Sequence, residues 1–148
     1  MKNRLRTISI NIFLVGVIII LLLLFHLGFI AGPIRVMEHE TRLHIEAFST
    51  AHDLKDPELL NRFSLDEVYY IIKDGKDMYW FNQEMTRFDT ASYESLEKAY
   101  QVANDLGYEN EDVNYGVYKG AFVYTLEKDT HYIYLDMNTL EIVLEFGG

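Results

Sequence analysis

The feature that most constrains this chain is a long apolar run near its N-terminus, from Ile8 to Ile30. Between Ile12 and Phe25 no side chain carries a polar group. A helix that spans a membrane needs about 20 mostly apolar residues, and this run has that length. Its backbone amides can be satisfied in lipid only within a helix. The sequence therefore predicts a transmembrane helix over residues 8–30.

The residues that flank this run predict its orientation. Lys2, Arg4 and Arg6 precede it and no acidic residue does. On the positive-inside rule, residues 1–7 form a cytoplasmic N-terminus, and the rest of a single-pass protein of the cell membrane lies outside. A cleaved signal peptide is the alternative. The run is longer than a signal h-region, and Phe29 or Pro33 spoils each possible cleavage site, so we expect the segment to be retained.

The charge is strongly asymmetric. All 23 acidic residues follow the apolar run, but only 10 of the 13 basic residues do. An acidic surface argues against binding to nucleic acid or docking on anionic lipid, since both need lysine and arginine. The chain has no cysteine, so the exported part must be held together by packing without disulfides, and it has no thiol nucleophile.

Periodicity beyond residue 33 predicts helices alternating with antiparallel strands. A helix with an apolar stripe over Ile34–Phe48 ends near residues 49–53, and a second helix runs from Ser92, as N-cap, to Leu106, with Gly107 closing it. Asp74-Gly75 predicts a hairpin over Val68–Gln83. The other predicted strands are Leu59–Phe63, Val113–Tyr118, Ala121–Glu127, His131–Asp136 and Glu141–Phe146.

These elements predict an α+β fold: an N-terminal transmembrane helix, then two small helix-plus-antiparallel-sheet subdomains. A faint sequence repeat supports two copies of one helix-plus-sheet unit. In each copy a Lys-Asp turn is followed by an aromatic residue. Tyr79 follows Lys73, and Tyr134 follows Lys128, at the same spacing. We place a first, reduced subdomain at residues 34–88 and a second at 89–148.

The sequence carries no strong catalytic or metal-binding motif. His39-Glu40 begins like a zinc helix, but the second histidine, His44, falls at i+5, where it cannot share one metal with His39. Asp136 begins a tight turn, where its expected role is to accept backbone N–H bonds. We therefore expect a protein that is not an enzyme, with no catalytic residue, no cofactor, no metal and no small-molecule substrate.

The one sequence feature that suggests a binding surface is a group of tyrosines. On the strand His131–Asp136, Ile133 and Leu135 suit a covered face, and Tyr132 and Tyr134 then point the other way, together with Tyr124. Tyrosines on an open sheet face are typical of protein-binding surfaces. Ordinary strand surface and burial against the first subdomain are the alternatives. If the face is open, Tyr132→Ala and Tyr134→Ala should leave the thermal melt little changed.

The last hairpin resembles a known family. The run Tyr132-Ile-Tyr-Leu-Asp-Met-Asn-Thr-Leu-Glu-Ile142 is similar to the closing hairpin of PepSY-type domains, with matches at Asp136, Thr139, Glu141 and Ile142. Leu140 stands where that family usually has glycine. With the N-terminal run and the Asp74-Gly75 hairpin, the layout resembles the YpmB, or TseB-like, cell wall elongation regulators of Gram-positive bacteria. Those proteins resemble two tandem PepSY-like, cystatin-like subdomains behind one membrane anchor.

This resemblance implies a non-enzymatic, extracytoplasmic regulator of cell wall synthesis that binds a membrane partner. The implied partner is a class B penicillin-binding protein, a transpeptidase of elongation. The alternative is a PepSY-type inhibitor or sensor of extracytoplasmic peptidases. The family often has an aromatic-acidic pair on the strand after the second helix. Here that strand reads Phe122-Val-Tyr-Thr-Leu-Glu127, so no functional residue of the family can be assigned in this chain.

Overall fold

The computed structural model describes residues 2–26 and 32–147. In this part of the chain there are three α-helices, Lys2–Phe25 (α1), Gly32–His52 (α2) and Glu97–Asp105 (α3), and a short 3-10 helix, Asn110–Asp112. The eight strands are Glu58–Ser64 (β1), Val68–Asp74 (β2), Asp77–Asn82 (β3), Phe88–Ser92 (β4), Val113–Tyr118 (β5), Ala121–Lys128 (β6), His131–Asp136 (β7) and Ile142–Phe146 (β8).

The chain divides into two compact units, residues 1–42 and 43–148. The first contains α1 and the start of α2. The second contains the end of α2, helix α3 and two four-stranded antiparallel sheets. We call the sheet β1-β2-β3-β4 sheet A and the sheet β5-β6-β7-β8 sheet B.

The predicted transmembrane helix is wrong. Among the residues that the structure describes, no helix is long and apolar enough to cross a membrane. The described helix in this region, α1, runs from Lys2 to Phe25. Residues 27–31, where the span was predicted to end, lie outside the described part.

Sheet A is built on the predicted hairpin, which is confirmed. Strands β2 and β3 pair antiparallel, with Tyr70 opposite Phe81 and Ile71 opposite Trp80. Gly75 supplies the positive φ of +63° that the turn requires. The run Tyr69–Ile72 is buried throughout, since both faces of the sheet are covered. Tyr70 and Ile72 belong to one apolar cluster, whereas Tyr69 and Ile71 belong to another.

The end of helix α2 covers the face of sheet A that carries Tyr70 and Ile72. Phe48 is buried and stacks on Phe81, with 4.1 Å between ring centroids and 6° between ring planes. Ile45 and Leu54 pack against the same cluster. The helix ends at His52, as the sequence predicts, and the Asp74 carboxylate accepts backbone N–H bonds from Lys55 and Asp56 just beyond it.

Helix α3 begins later than predicted. Ser92 is not its N-cap, because Ser92 ends strand β4 and pairs with Asp77 of β3. The strand β4 was not predicted. The helix starts at Glu97, whose backbone N–H donates to Oγ of Ser95 at 3.2 Å. Gly107 follows the helix with a φ of +87°, as expected of a residue that closes it.

Sheet B contains the last four predicted strands, at nearly the predicted bounds. Its inner face carries Ile133 and Leu135, which lie in the larger apolar cluster with Ala99 and Ala103 of α3. Tyr69, Ile71, Met78 and Trp80 of sheet A belong to that same cluster. The two sheets therefore share one core within the second unit.

The turn after β7 confirms the role predicted for Asp136. Its carboxylate accepts the backbone N–H groups of Asn138 and Thr139, both at 2.9 Å. These bonds hold the pKa of Asp136 below its ordinary value of 3.8, against a smaller opposing effect of desolvation. Leu140 closes the turn with a φ of +61°, although glycine would adopt that conformation at less cost.

We expect Asp136→Ala to lower stability at neutral pH and to matter less in acid. A carboxyl whose folded pKa is depressed contributes stability above its unfolded pKa and loses it as pH falls through the folded pKa. The gap in melting temperature between the wild-type chain and the variant should therefore shrink below about pH 4. Thermal melts from pH 7 to pH 2.5 measure this gap. A gap that stays constant over that range would contradict the role assigned to the carboxylate.

A close approach of the two sheets occurs at Gly116 in β5. A Cβ placed there would collide with Cγ2 of Thr125 and lie 3.3 Å from both Cε2 of Phe63 and Cγ2 of Val123. Phe63 belongs to β1, so the absence of a side chain at Gly116 lets a ring of sheet A reach sheet B.

Gly116→Ala should therefore lower the free energy of unfolding by about 1–3 kcal/mol, the usual cost of overpacking. Chemical denaturation of the full chain measures the change. Adding Thr125→Ser removes the methyl group that collides and should recover part of the loss. An alanine variant as stable as the wild-type chain would contradict the close packing around Gly116.

Candidate partner-binding surface

The face of sheet B opposite the shared core, which we call the outer face, carries Tyr132 and Tyr134, two of the three tyrosines singled out from the sequence. The register places Tyr132 opposite Phe146, and Tyr134 opposite Leu144 of β8. Tyr124 pairs with Leu135 and so lies on the inner face. The structure therefore brings Tyr132 and Tyr134 together and separates Tyr124 from them.

Tyr124 is part of the core. Its side chain is fully buried, and its hydroxyl donates to the backbone oxygen of Ser95 at 3.0 Å. Burial, with a smaller effect of the Glu94 carboxylate, raises the pKa of Tyr124 to about 12. The phenol therefore stays protonated and fixes the chain segment before α3 to sheet B.

Tyr134 lies on the outer face but is buried there by other rings. It meets Phe63, Tyr118 and Phe146 edge-on, at centroid distances of 5.8, 6.0 and 5.7 Å. Only 2% of its surface is exposed. Tyr134 thus lies beneath the exposed rings of this surface and supports them by packing.

Tyr132 and Phe146 form the accessible part of this aromatic group. Their rings stack with centroids 4.9 Å apart and planes 9° apart, and Phe146 is 38% exposed. A hydrogen bond to the Glu127 carboxylate is the main cause that raises the pKa of Tyr132. The stack on Phe146 orders the ring of Tyr132, which lowers the entropy cost of using it in an interface.

A groove lies beside this stack, and we call it the β1 groove. Its volume is about 440 Å³, and it is bounded on one side by residues 61–65, from β1 and the turn after it. The outer face of sheet B forms the rest, with Asn114, Thr125, Glu127, Tyr132, Tyr134 and Phe146. At its end the side-chain amide of Asn61 donates to the backbone oxygen of Tyr115 at 2.7 Å, which ties the two sheets together.

The chemistry of the groove suits binding. It offers amides, hydroxyls and stacked aromatic rings, a combination typical of protein interfaces. The sequence reasoning missed Phe146, Phe63 and Arg62 as members of this surface. Phe146 could have been found, because alternation along β8 places it on the same face as Leu144. The contribution of β1 depends on how the two sheets meet, and no local pattern encodes that.

The histidines lie in separate settings. Nδ1 of His39 is 3.1 Å from Arg42, His44 stacks on Tyr70 at 5.2 Å, and Nδ1 of His131 is 2.6 Å from the hydroxyl of Tyr108. Among the described residues, no three histidine or acidic side chains are grouped so that they could hold a metal ion.

Comparison of this chain with protein-family models, with curated proteins and with solved structures found no match.

Proposed function

We propose that this protein is a non-enzymatic regulator of cell wall elongation, which acts outside the cytoplasm by binding a class B penicillin-binding protein. The observation that carries the proposal is the ordered aromatic stack of Tyr132 and Phe146 beside the β1 groove. The stack presents a rigid apolar surface next to polar side chains, the arrangement from which interface hot spots are built.

The resemblance of the closing hairpin to PepSY-type domains supports the choice of partner. Asp136, Thr139 and Glu141 match that pattern, and Asp136 makes the turn bonds that the pattern requires. The two sheets, each covered by a helix, agree with the tandem layout that the resemblance implies.

The acidic character of the chain also favours a protein partner. Its formal net charge is −10, which disfavours nucleic acid and anionic lipid. The groove has a volume of about 440 Å³, so it suits a segment of a larger molecule. A binding function therefore fits both the charge and the shape of the surface.

Photo-crosslinking in living cells tests this proposal. A benzoylphenylalanine at position 132 of the full chain should recover a class B penicillin-binding protein after irradiation. The same residue at Lys76, in the exposed β2–β3 turn, is the matched control and should recover much less.

Two results would contradict the proposal. Recovery of an extracytoplasmic peptidase from position 132 would support an inhibitor or sensor of peptidases instead. Equal recovery of the transpeptidase from both positions would show that the outer face of sheet B is not the contact surface.

A further inference from the structure

Strand β8 forms an exposed and mainly apolar edge of sheet B. It is the last strand of the sheet and, among the described strands, pairs with β7 alone, so one row of its backbone N–H and C=O groups is unpaired. Four of its five residues are apolar, and Ile142, Val143 and Phe146 are 47%, 41% and 38% exposed. The pairing with β7 skips Val143, so residues 144–146 form the regular part of the edge.

The three other sheet edges are covered or polar. Strands β1 and β5 approach each other, since the side-chain amide of Asn61 in β1 donates to the backbone oxygen of Tyr115 in β5 at 2.7 Å. In β4 the one large apolar residue, Phe88, meets His52 of α2 edge-on, with 4.7 Å between ring centroids. A charged residue such as Asp89 of β4 discourages an edge from pairing with another strand. Strand β8 is therefore the edge best suited to accept one.

Strands β7 and β8 and the turn between them are acidic. Residues 131–147 contain Asp136, Glu141 and Glu145 but no lysine or arginine. Glu127 of β6 adds a fourth carboxylate, because it pairs with a residue of the outer face. The whole chain has a formal net charge of −10, so a second copy would be repelled from this edge, whereas a basic segment would be attracted to it.

Glu145 is the charged residue of β8 itself. It lies opposite Ile133 of the inner face, whereas its neighbours Leu144 and Phe146 lie on the outer face. Its side chain is 54% exposed, and one carboxylate oxygen is 3.1 Å from Nε2 of His131. A carboxylate accepts several hydrogen bonds, so Glu145 can accept one from a cation on a further strand and keep this contact.

We propose that β8 binds an extended segment of a protein partner by strand addition, and that this segment carries a lysine or arginine between two apolar residues. The side chains of an added strand alternate between faces in step with those of β8. The basic residue lies opposite Glu145, and its apolar neighbours, opposite Leu144 and Phe146, extend the aromatic stack of the outer face. This inference rests on the proposed function, because the segment would belong to the partner that the outer face contacts.

Peptide binding to the full chain tests the inference. The probe is a labelled octapeptide with a valine–lysine–valine centre flanked by threonines, and fluorescence anisotropy measures its dissociation constant. It should bind about fivefold more tightly than the same peptide with a central glutamate. Methylation of alternate backbone nitrogens removes the hydrogen bonds of strand pairing and should weaken binding at least about tenfold. Hydrogen exchange should slow at residues 142–147 and stay unchanged at residues 88–92 of β4.

Glu145→Lys reverses the charge of this edge. It should weaken binding of the lysine peptide about fivefold and strengthen binding of the glutamate peptide by a similar factor, because opposite charges attract across paired strands and like charges repel. A gain of affinity for the glutamate peptide cannot arise from misfolding. Asp89→Lys, the same change in edge strand β4, is the matched control and should leave both affinities within about twofold, since salt screens distant charges.

The inference is overturned if no peptide binds, if methylation has no effect, or if the lysine and glutamate peptides bind equally. Protection of β8 that rises with the concentration of the chain alone would overturn it in favour of a second copy. Its failure is distinct from failure of the proposed function. If Glu145→Lys leaves recovery of the transpeptidase from position 132 unchanged, the function stands and the edge assignment falls. If the peptides behave as expected but no transpeptidase is recovered, the edge stands and the partner is wrong.

Discussion

Leu135→Asp should unfold the second unit, residues 43–148, at room temperature. Leu135 is fully buried in the shared core, opposite Tyr124. Loss of a buried leucine side chain costs about 2–5 kcal/mol, and an unpaired carboxylate in the same place adds several more. Together these approach the about 5–15 kcal/mol that holds a typical domain folded. Circular dichroism of the full chain should show loss of the strand signal and of the cooperative melt.

The matched control is Ile142→Asp in strand β8 of the same sheet. Ile142 is 47% exposed, so a carboxylate there remains in water and should shift the melt little. A folded Leu135→Asp variant, with a melt close to that of the control, would mean that the inner face of sheet B is not the core.

Tyr134→Ala should destabilise the chain by about 3 kcal/mol, as large-to-small changes at buried aromatic residues do. Tyr132→Ala, on the same face, should cost less than about 1 kcal/mol, because its ring is only half-buried. The physical reason is the set of rings around Tyr134, of which Phe63 comes from sheet A. Chemical denaturation of both variants measures the difference.

Sequence alternation alone predicts that both tyrosines are neutral, since it assigns them the same open face. The structure differs because strand β1 and Phe146 cover one of the two positions. Equal and small losses for Tyr132→Ala and Tyr134→Ala would restore the open-face interpretation and contradict the packing of Phe63 against sheet B.

Local patterns predicted most strands of the fold. Asp74-Gly75 predicts the β2–β3 hairpin because glycine readily adopts the positive φ of a tight turn. Alternation along β7 predicts that Ile133 and Leu135 face the core. Strand β4 was missed because its side chains are largely exposed, so Phe88–Ser92 shows no apolar pattern. Because no strand was recognised there, Ser92 was interpreted as a helix cap, although it pairs with Asp77 of β3.

The N-terminal prediction failed for a different reason. An apolar composition predicts a spanning helix over Ile8–Ile30, but composition does not fix the bounds of a helix, and the described helix is Lys2–Phe25. The candidate site was predicted only in part. Tyr132 lies on it, whereas Phe63 reaches it through contacts between the sheets, which arise from tertiary packing and have no signature in either strand.

The affinity of the purified chain for a class B penicillin-binding protein tests most directly the proposal that the outer face of sheet B binds such a partner. Biolayer interferometry measures the dissociation constant. Tyr132→Ala should raise this constant about 30-fold, as expected for a hot-spot aromatic residue. Tyr79→Ala, in sheet A, should leave it within about twofold. No measurable binding by the wild-type chain, or equal affinities for the wild-type chain and Tyr132→Ala, would contradict the claim.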